Sequence, residues 1–481
     1  MCFSIIIGKH ASATGSVLLA ANDDWPGCPG HIHHVPAKSW NPGDTFLTVK
    51  NVPIPQVPKT FGYTYSACAY ETGTRHVSWA DGVNDQRVAV SMQGIYAFAN
   101  YQRECDILEA DDLTILLMER AKTARQGIEM AGELISKYGF TVSTIEGAEG
   151  TVCMAVADPD EGFFLELLPG GHWCAKRVAD NEAECRPNCF GIGEIDFDDH
   201  KNFLYSPGLY ELAVEKGLIQ QGEKLNFAKA FGGDVAQVND GYGGALNPVN
   251  TMRKWTVLHR LGGLNVDPKT PLYSCTPKAP LQVRDLMDLM RDYLQGTEYD
   301  LSAVPEAGTY HNPFWMTIST SIVQGGTVIC MLADLSRRLP DTLGCPVYFS
   351  FSNVRLSPFV PCYSGGHGLP EAYQRGECGA FDLGDAWWAF QDTAEVCYRN
   401  YEAIALEKVI PEYESMEDRF FASMAKTEAA AAQKFTEDPD AALKLLTDLT
   451  DQMACEAMET ALSMGRYIKG KFLCNTVLSW L

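Results

Sequence analysis

The chain has 481 residues, 46% hydrophobic and 21% charged, ordinary proportions for a soluble globular protein with two or three domains or one large core. Its formal net charge of −23 argues against a nucleic-acid partner, which would call for a basic face. No stretch approaches roughly 18 uninterrupted apolar residues, so no membrane span is expected. The start lacks a basic segment, and Lys9 and His10 interrupt its apolar run, so no signal peptide is expected either. The 16 cysteines are scattered, with no C-x-x-C. The closest pair, Cys185 and Cys189, has no second pair to complete a zinc site. This spacing fits a reduced, cytoplasmic setting in which most cysteines are core residues.

In chain order, Phe3 to Ile7 is apolar and β-branched and predicts a buried strand. Gly8 to Gly15 reads as a turn, and Ser16 to Ala21 as a second strand that completes a hairpin. That strand runs into the polar stretch Asn22-Asp23-Asp24-Trp25-Pro26-Gly27, which would bring Asp24 back beside Cys2 at one sheet end. Residues 26–60 are rich in Pro, Gly and His and read as loop. Strand-like runs follow at Phe61–Tyr70, Val88–Met92, Thr151–Ala157 and Phe163–Leu168, with helical periodicity over residues 103–138. Further strands are expected at Trp315–Val323, Thr327–Ala333 and Val347–Phe351. Residues 386–470, rich in Ala, Glu, Leu and Lys, read as helical, with breaks at Pro411 and Pro439. Strands and helices fall in blocks rather than alternating, which favours an α+β fold with largely antiparallel sheets.

The residue with the most chemical promise is Cys2. Loss of Met1 would leave a thiol and a free α-amine on one residue, a nucleophile with its own base. Such an amine has a pKa of roughly 7.7–8.0, and a thiol near 8.5 needs modest help to ionise. The competing reading is a small buried hydrophobe, the usual fate of a free cysteine. Other motifs are absent: there is no H-E-x-x-H, G-x-S-x-G or phosphate-binding G-x-x-x-x-G-K-[ST]. His31 and His33 would share one face of a strand, but two histidines fall short of the three or four ligands a metal needs. Gly241-Tyr242-Gly243-Gly244 lacks the strand and helix of a phosphate cradle. No metal or cofactor is expected.

The opening run C-F-S-I-I-I-G-K-H-A-S-A-T-G-S-V-L-L-A-A-N-D-D-W resembles the N-terminal-nucleophile cysteine dipeptidases, the dipeptidase A family. The likeness continues through Asp81-Gly82-Val83-Asn84-Asp85 with Val88-Ala89-Val90-Ser91, and through Leu117 to Gly127. It extends to Glu166, His172-Trp173 to Val178, Arg186-Pro187-Asn188 and Ile192 to Asp196. Leu335 to Pro340 and Phe359 to Tyr363 are the last landmarks, so the resemblance covers roughly residues 2–420. It implies an αββα sandwich, two stacked antiparallel sheets between helical layers. The expected organisation is a core over residues 2–385, with a helical insertion at about 103–138, and a helical C-terminal region over 386–481 packed on it. The implied activity is amide hydrolysis on small peptides without metal or cofactor; a homo-oligomer is compatible with it.

On these residues, the resemblance implies that Cys2 forms a thioester and that its amine serves as base and then acid. Asp24 would orient the amine; its other reading is a loop-capping carboxylate. Asn188 matches the family's oxyanion-hole asparagine and otherwise reads as a turn residue after Pro187. A backbone N–H near Gln93-Gly94 would be the second donor. Asn84 is an alternative structural residue at the Gly82 turn. Arg253 is a candidate for steadying the nucleophile or binding a substrate carboxylate, or else a surface residue on a helix. Two positions depart from the family pattern. Ala21 stands where relatives carry Arg, and Gln93-Gly94 where they usually carry T-E. Two alternatives follow: an amidase or acylase acting on non-peptide amides, and a catalytically weakened binding scaffold of the same fold.

Overall fold

The computed structural model describes residues 2–24, 28–68, 81–96, 105–142, 150–232, 244–316 and 319–478. In chain order the first strands are β1 (Phe3–Ile7), β2 (Leu18–Asp24), β3 (Gly30–Val35), β4 (Lys38–Ser39), β5 (Thr45–Leu47), β6 (Pro53–Pro55) and β7 (Lys59–Thr60). Then come β8 (Tyr63–Cys68), β9 (Gly82–Asn84), β10 (Ala89–Tyr96), β11 (Gly150–Ala157), β12 (Gly162–Leu168), β13 (His172–Arg177) and β14 (Ala183–Arg186). The last are β15 (Phe203–Tyr205), β16 (Ser274–Cys275), β17 (Thr327–Asp334), β18 (Pro346–Phe351) and β19 (Val360–Tyr363). The helices are α1 (Ala110–Arg120), α2 (Ala124–Tyr138), α3 (Leu209–Glu215), α4 (Pro248–Arg260), α5 (Val283–Met290), α6 (Ala386–Cys397), α7 (Ile410–Phe435) and α8 (Pro439–Leu478).

Two antiparallel sheets stack face to face. One runs β16-β14-β1-β2-β17-β18-β19, the other β15-β13-β12-β11-β10-β9-β8-β3. The sheets meet through β1 and β2 against β10 and β11. Helices α1 and α2 cover the outer face of the second sheet, and α4, α5, α6 and α8 pack on the first. The molecule is therefore the αββα sandwich that the resemblance implied. This layering explains why β1 (Phe-Ser-Ile-Ile-Ile) and β11 are nearly continuous apolar runs. Helices cover one side of each sheet and the other sheet covers the opposite side, so neither face of these two central strands reaches water.

The helical stretch expected over 103–138 is two helices; residues 103 and 104 lie outside the described ones. The break has a local cause. The Thr123 hydroxyl accepts from the Gln126 N–H and caps α2. The carbonyls of Met118 and Ala121, left over where α1 ends, both accept from the Asn84 amide (3.0 and 2.8 Å). The Asn84 side-chain oxygen meanwhile accepts from the N–H groups of Gln86 and Val88. Asn84 thus locks a helix end to the turn between β9 and β10.

Two other stretches differ from expectation. Residues 26–60 were expected as loop, yet Gly30–Val35 is a strand of the second sheet and β4–β7 form two small ribbons. Its alternation was masked by polar composition: Ile32 is fully buried while His33 is half-buried. Trp315–Val323 forms no strand among its described residues; Thr317 and Ile318 are not among these. There the Gln324 side chain accepts from the Ser319 N–H (2.6 Å) and takes the place of a strand neighbour. The C-terminal helices share one buried apolar cluster with the first sheet. Pro411 sits in the first turn of α7, where its missing N–H costs little. A buried Arg291–Glu417 ion pair (2.5 Å) joins α5's end to α7, and Glu417 also accepts from the Phe359 N–H.

Replacing Asn84 with Ala leaves two carbonyls and two N–H groups without their partner. The expected loss is about 2–4 kcal/mol of stability, read as a lower urea midpoint at unchanged slope.

Candidate active site

β1 and β2 are hydrogen-bonded neighbours inside the first sheet, with Phe3 opposite Asn22 and Ser4 opposite Ala21. One further step along this register sets Cys2 opposite Asp23. Directly opposed residues share a face, so Cys2, Ser4, Ala21 and Asp23 point together toward the second sheet. The Cys2 thiol donates to Asp23 Oδ1 at 3.4 Å, and the Asp24 backbone N–H lies on the sulfur. The carboxylate on the thiol is therefore that of Asp23. The neighbouring Asp24 side chain accepts from the Thr327 hydroxyl (2.6 Å) on β17 and feels the charge of Arg253. Trp25, Pro26 and Gly27 lie outside the described residues.

Arg253 is fully buried on α4, which Asn247 caps through the Val249 N–H. Its guanidinium donates to the Cys2 carbonyl (2.7 Å), to Asn188 Oδ1 (2.8 Å) and to Asn250 Oδ1 (2.9 Å), and its Nε donates to the Val249 carbonyl (2.9 Å). A surface role is thereby excluded. Because Arg can only donate, it fixes the Asn188 amide with its oxygen toward the arginine. The Asn188 Nδ2 donates to the Gly94 carbonyl at 2.7 Å on β10 of the second sheet. The structure thus gathers Cys2, Asn188 and Arg253 into one hydrogen-bonded group, with Asp24 coupled to it by charge.

The loop that carries Asn188 is held from three sides. Glu166, fully buried, accepts from Arg186 Nε (2.7 Å), the Gly191 N–H (2.7 Å) and the Ile192 N–H. Arg186 also pairs with Glu184, which in turn pairs with Lys176. A Cβ at position 191 would lie 2.6 Å from Arg186 Nε, so only glycine admits the guanidinium there. Gln93 closes the third side: Ser4 Oγ donates to its oxygen (2.7 Å), and its amide donates to the Arg186 and Pro187 carbonyls (2.7 and 3.0 Å). The Gln93 departure thus ties β1 to the Asn188 loop across the two sheets.

The site is electrostatically unusual. Asp23, Asp24 and Asp81 are all buried. Burial pushes the Asp24 carboxyl up to about 6 and the Asp81 carboxyl up to about 7. Burial, followed by the charge of Asp81, pushes Asp23 well above the carboxylate range. Burial and then Asp23 also raise the Cys2 thiol. Sequence reasoning missed Asp23 and Asp81 as site residues, and Asn250 and Thr327 as their companions. Strand alternation counted back from Cys2 would have pointed to Asp23; no sequence signal pointed to Asp81. His31 and His33 share a face of β3, as strand geometry predicted, and hydrogen-bond each other at 2.6 Å. Gly241, Tyr242 and Gly243 lie outside the described residues.

Residues 1–413 match the profile of Peptidase family C69. The chain belongs to this family. A probable dipeptidase of Latilactobacillus sakei is 24% identical to this C69 peptidase over 466 residues, covering 94% of it and 91% of the relative. Dipeptidase A of Lactobacillus helveticus is 24% identical, over 87% of this chain and 84% of the relative. Among solved structures, penicillin V acylase from Agrobacterium tumefaciens matches 76% of this chain and 86% of its own, at 14% identity and a TM-score of 0.34. No helix among the described residues is long and apolar enough to cross a membrane.

The three raised carboxyls contribute to the pH dependence of stability in this C69 peptidase. A folded-state pKa above the unfolded value gives stability that is present below about pH 4 and lost as pH rises through the folded pKa. Asp81→Asn should therefore raise Tm at pH 8 and change it little at pH 4, as thermal unfolding at the two pH values would read.

Proposed function

We propose that the chain is a cysteine dipeptidase whose nucleophile is Cys2 after removal of Met1. The observation that carries this reading is the convergence on one residue. The thiol meets Asp23 and the Asp24 N–H, while the carbonyl of the same residue is gripped by the arginine that orients Asn188. The names and near-complete coverage of the curated relatives support a dipeptide substrate.

The chemistry follows from the groups present. The Cys2 α-amine accepts the thiol proton, and the thiolate attacks the scissile carbonyl. The amide Nδ2 of Asn188 carries two protons; one goes to Gly94, and the other is offered to the oxyanion. Collapse expels the leaving amine, protonated by the Cys2 ammonium, and leaves a thioester. The amine then takes a proton from water, which attacks the thioester and frees Cys2. Asp24 in its carboxylate form orients the ammonium. Arg253 keeps Cys2 and Asn188 in mutual register; it does not itself move a proton.

Intact-mass measurement should show a mature chain lacking Met1, and Cys2→Ala should lose at least about 10³-fold in dipeptide hydrolysis. An active protein that retains Met1, or a fully active Cys2→Ala variant, would sink the reading. A panel of dipeptides against acyl amides should favour the dipeptides.

Because Asp24 works as a carboxylate and its pKa stands at about 6, kcat/KM should fall as pH drops through about 6. A pH profile of dipeptide hydrolysis checks this; a flat profile down to pH 5 would remove Asp24 from the role.

A further inference from the structure

Asp23 touches the reacting sulfur but has no task in the mechanism above. It is 7% exposed, and its Oδ1 lies 3.4 Å from Cys2 Sγ. The register places it on the same sheet face as the thiol, with Ala21 as the next residue on that face of β2. Ala21 offers neither charge nor hydrogen bond to a developing thiolate. Arg253 donates to the Cys2 carbonyl, Asn188, Asn250 and the Val249 carbonyl. A thiolate formed here keeps the Asp24 N–H as one donor, and the side chain that meets the sulfur is Asp23.

We propose that Asp23 is a catalytic residue of this site, a neutral carboxylic acid that donates a hydrogen bond to the Cys2 thiolate. This assignment rests on Cys2 being the nucleophile. An ionised Asp23 would oppose thiolate formation by like charge, whereas a protonated one favours it. The groups facing Asp23 act in that direction. The Cys2 thiol lies opposite, just before β1, Asp24 follows on its own strand, and the charge of Asp81 reaches it from just before β9 in the other sheet. Burial and the two carboxyls hold its proton on. During the reaction the thiol proton passes to the Cys2 α-amine, and Asp23 keeps its own. As the S–C bond forms, the hydrogen bond from Asp23 weakens; when the thioester is hydrolysed and the sulfur leaves, it is made again. No net proton is gained or lost by Asp23 in a turnover.

The test compares wild type, Asp23→Asn and Asp23→Ala in the full-length mature enzyme, with folding followed by thermal unfolding. Asp23→Asn keeps the size and a donor but cannot ionise. It should retain hydrolysis within about tenfold at pH 7, and it should lose the alkaline fall in kcat/KM that wild type shows as Asp23 gives up its proton. Asp23→Ala should lose about 10²-fold or more, the scale for one donor on a developing anion. Alkylation of Cys2 by iodoacetamide, read by intact mass across pH, reports the thiol without turnover. It should ionise at higher pH in Asp23→Ala than in Asp23→Asn. Asp23→Asn as inactive as Asp23→Ala would make the residue a carboxylate base and overturn the proposal. Equal activity and equal alkylation in all three would make it a bystander and overturn the proposal as well. Failure of the nucleophile itself is distinguished by the Cys2→Ala variant, which stays active only in that case.

Discussion

A slip of one residue between β1 and β2 would turn every side chain of the pair to the opposite face. Everything at the site depends on that register. It puts Ser4 where it meets Gln93, and Cys2 where it meets Asp23. It is secured by burial on both sides. Phe3 and Ile5 face the helical layer, and Ile6 faces Gly162 of the other sheet, where no larger residue would fit. Apolar packing thus specifies a polar geometry at the strand end.

The second constraint is electrostatic and lies beside the first. Arg186 sits between Glu166 and Glu184 with no exposure, an arrangement that is costly to desolvate and costly to break. Its return is the placement of one loop. Glu166 reaches past the arginine to the N–H groups of Gly191 and Ile192, so the ion pair and the loop backbone are one network. Beside Cys2 the balance is reversed: three buried carboxyls converge, and burial pushes each of them up. Within a few strand positions of each other, the matched charges around Arg186 and the unmatched carboxyls around Cys2 thus share one end of the sandwich.

Much of the fold was legible because both faces of its central strands are covered. Long apolar runs such as Phe3–Ile7 and Thr151–Ala157 need no alternation to be recognised. Gly30–Val35 was not legible, since its histidines gave it the look of a loop while Ile32 did the packing. Cys2 stood out by chemistry alone. Asn188 and Arg253 were found only by likeness. Arg253 reaches the Cys2 carbonyl across 251 positions of sequence, a closure no local pattern encodes. Asp23 was passed over for Asp24 because the sequence showed a hairpin without its register. The two differ by one position and by the side of the strand.

Arg253 grips Cys2, the proposed nucleophile, by its carbonyl oxygen, a group that every amino acid possesses. The clamp therefore reads position 2 as backbone and is blind to what the side chain is. Chemistry and placement are separate variables in this fold. Serine or threonine at position 2 would be carried to the same spot, beside the same asparagine, with a hydroxyl in place of the thiol. A scaffold of this design can exchange its reactive atom over evolutionary time without having to rebuild the machinery that positions it.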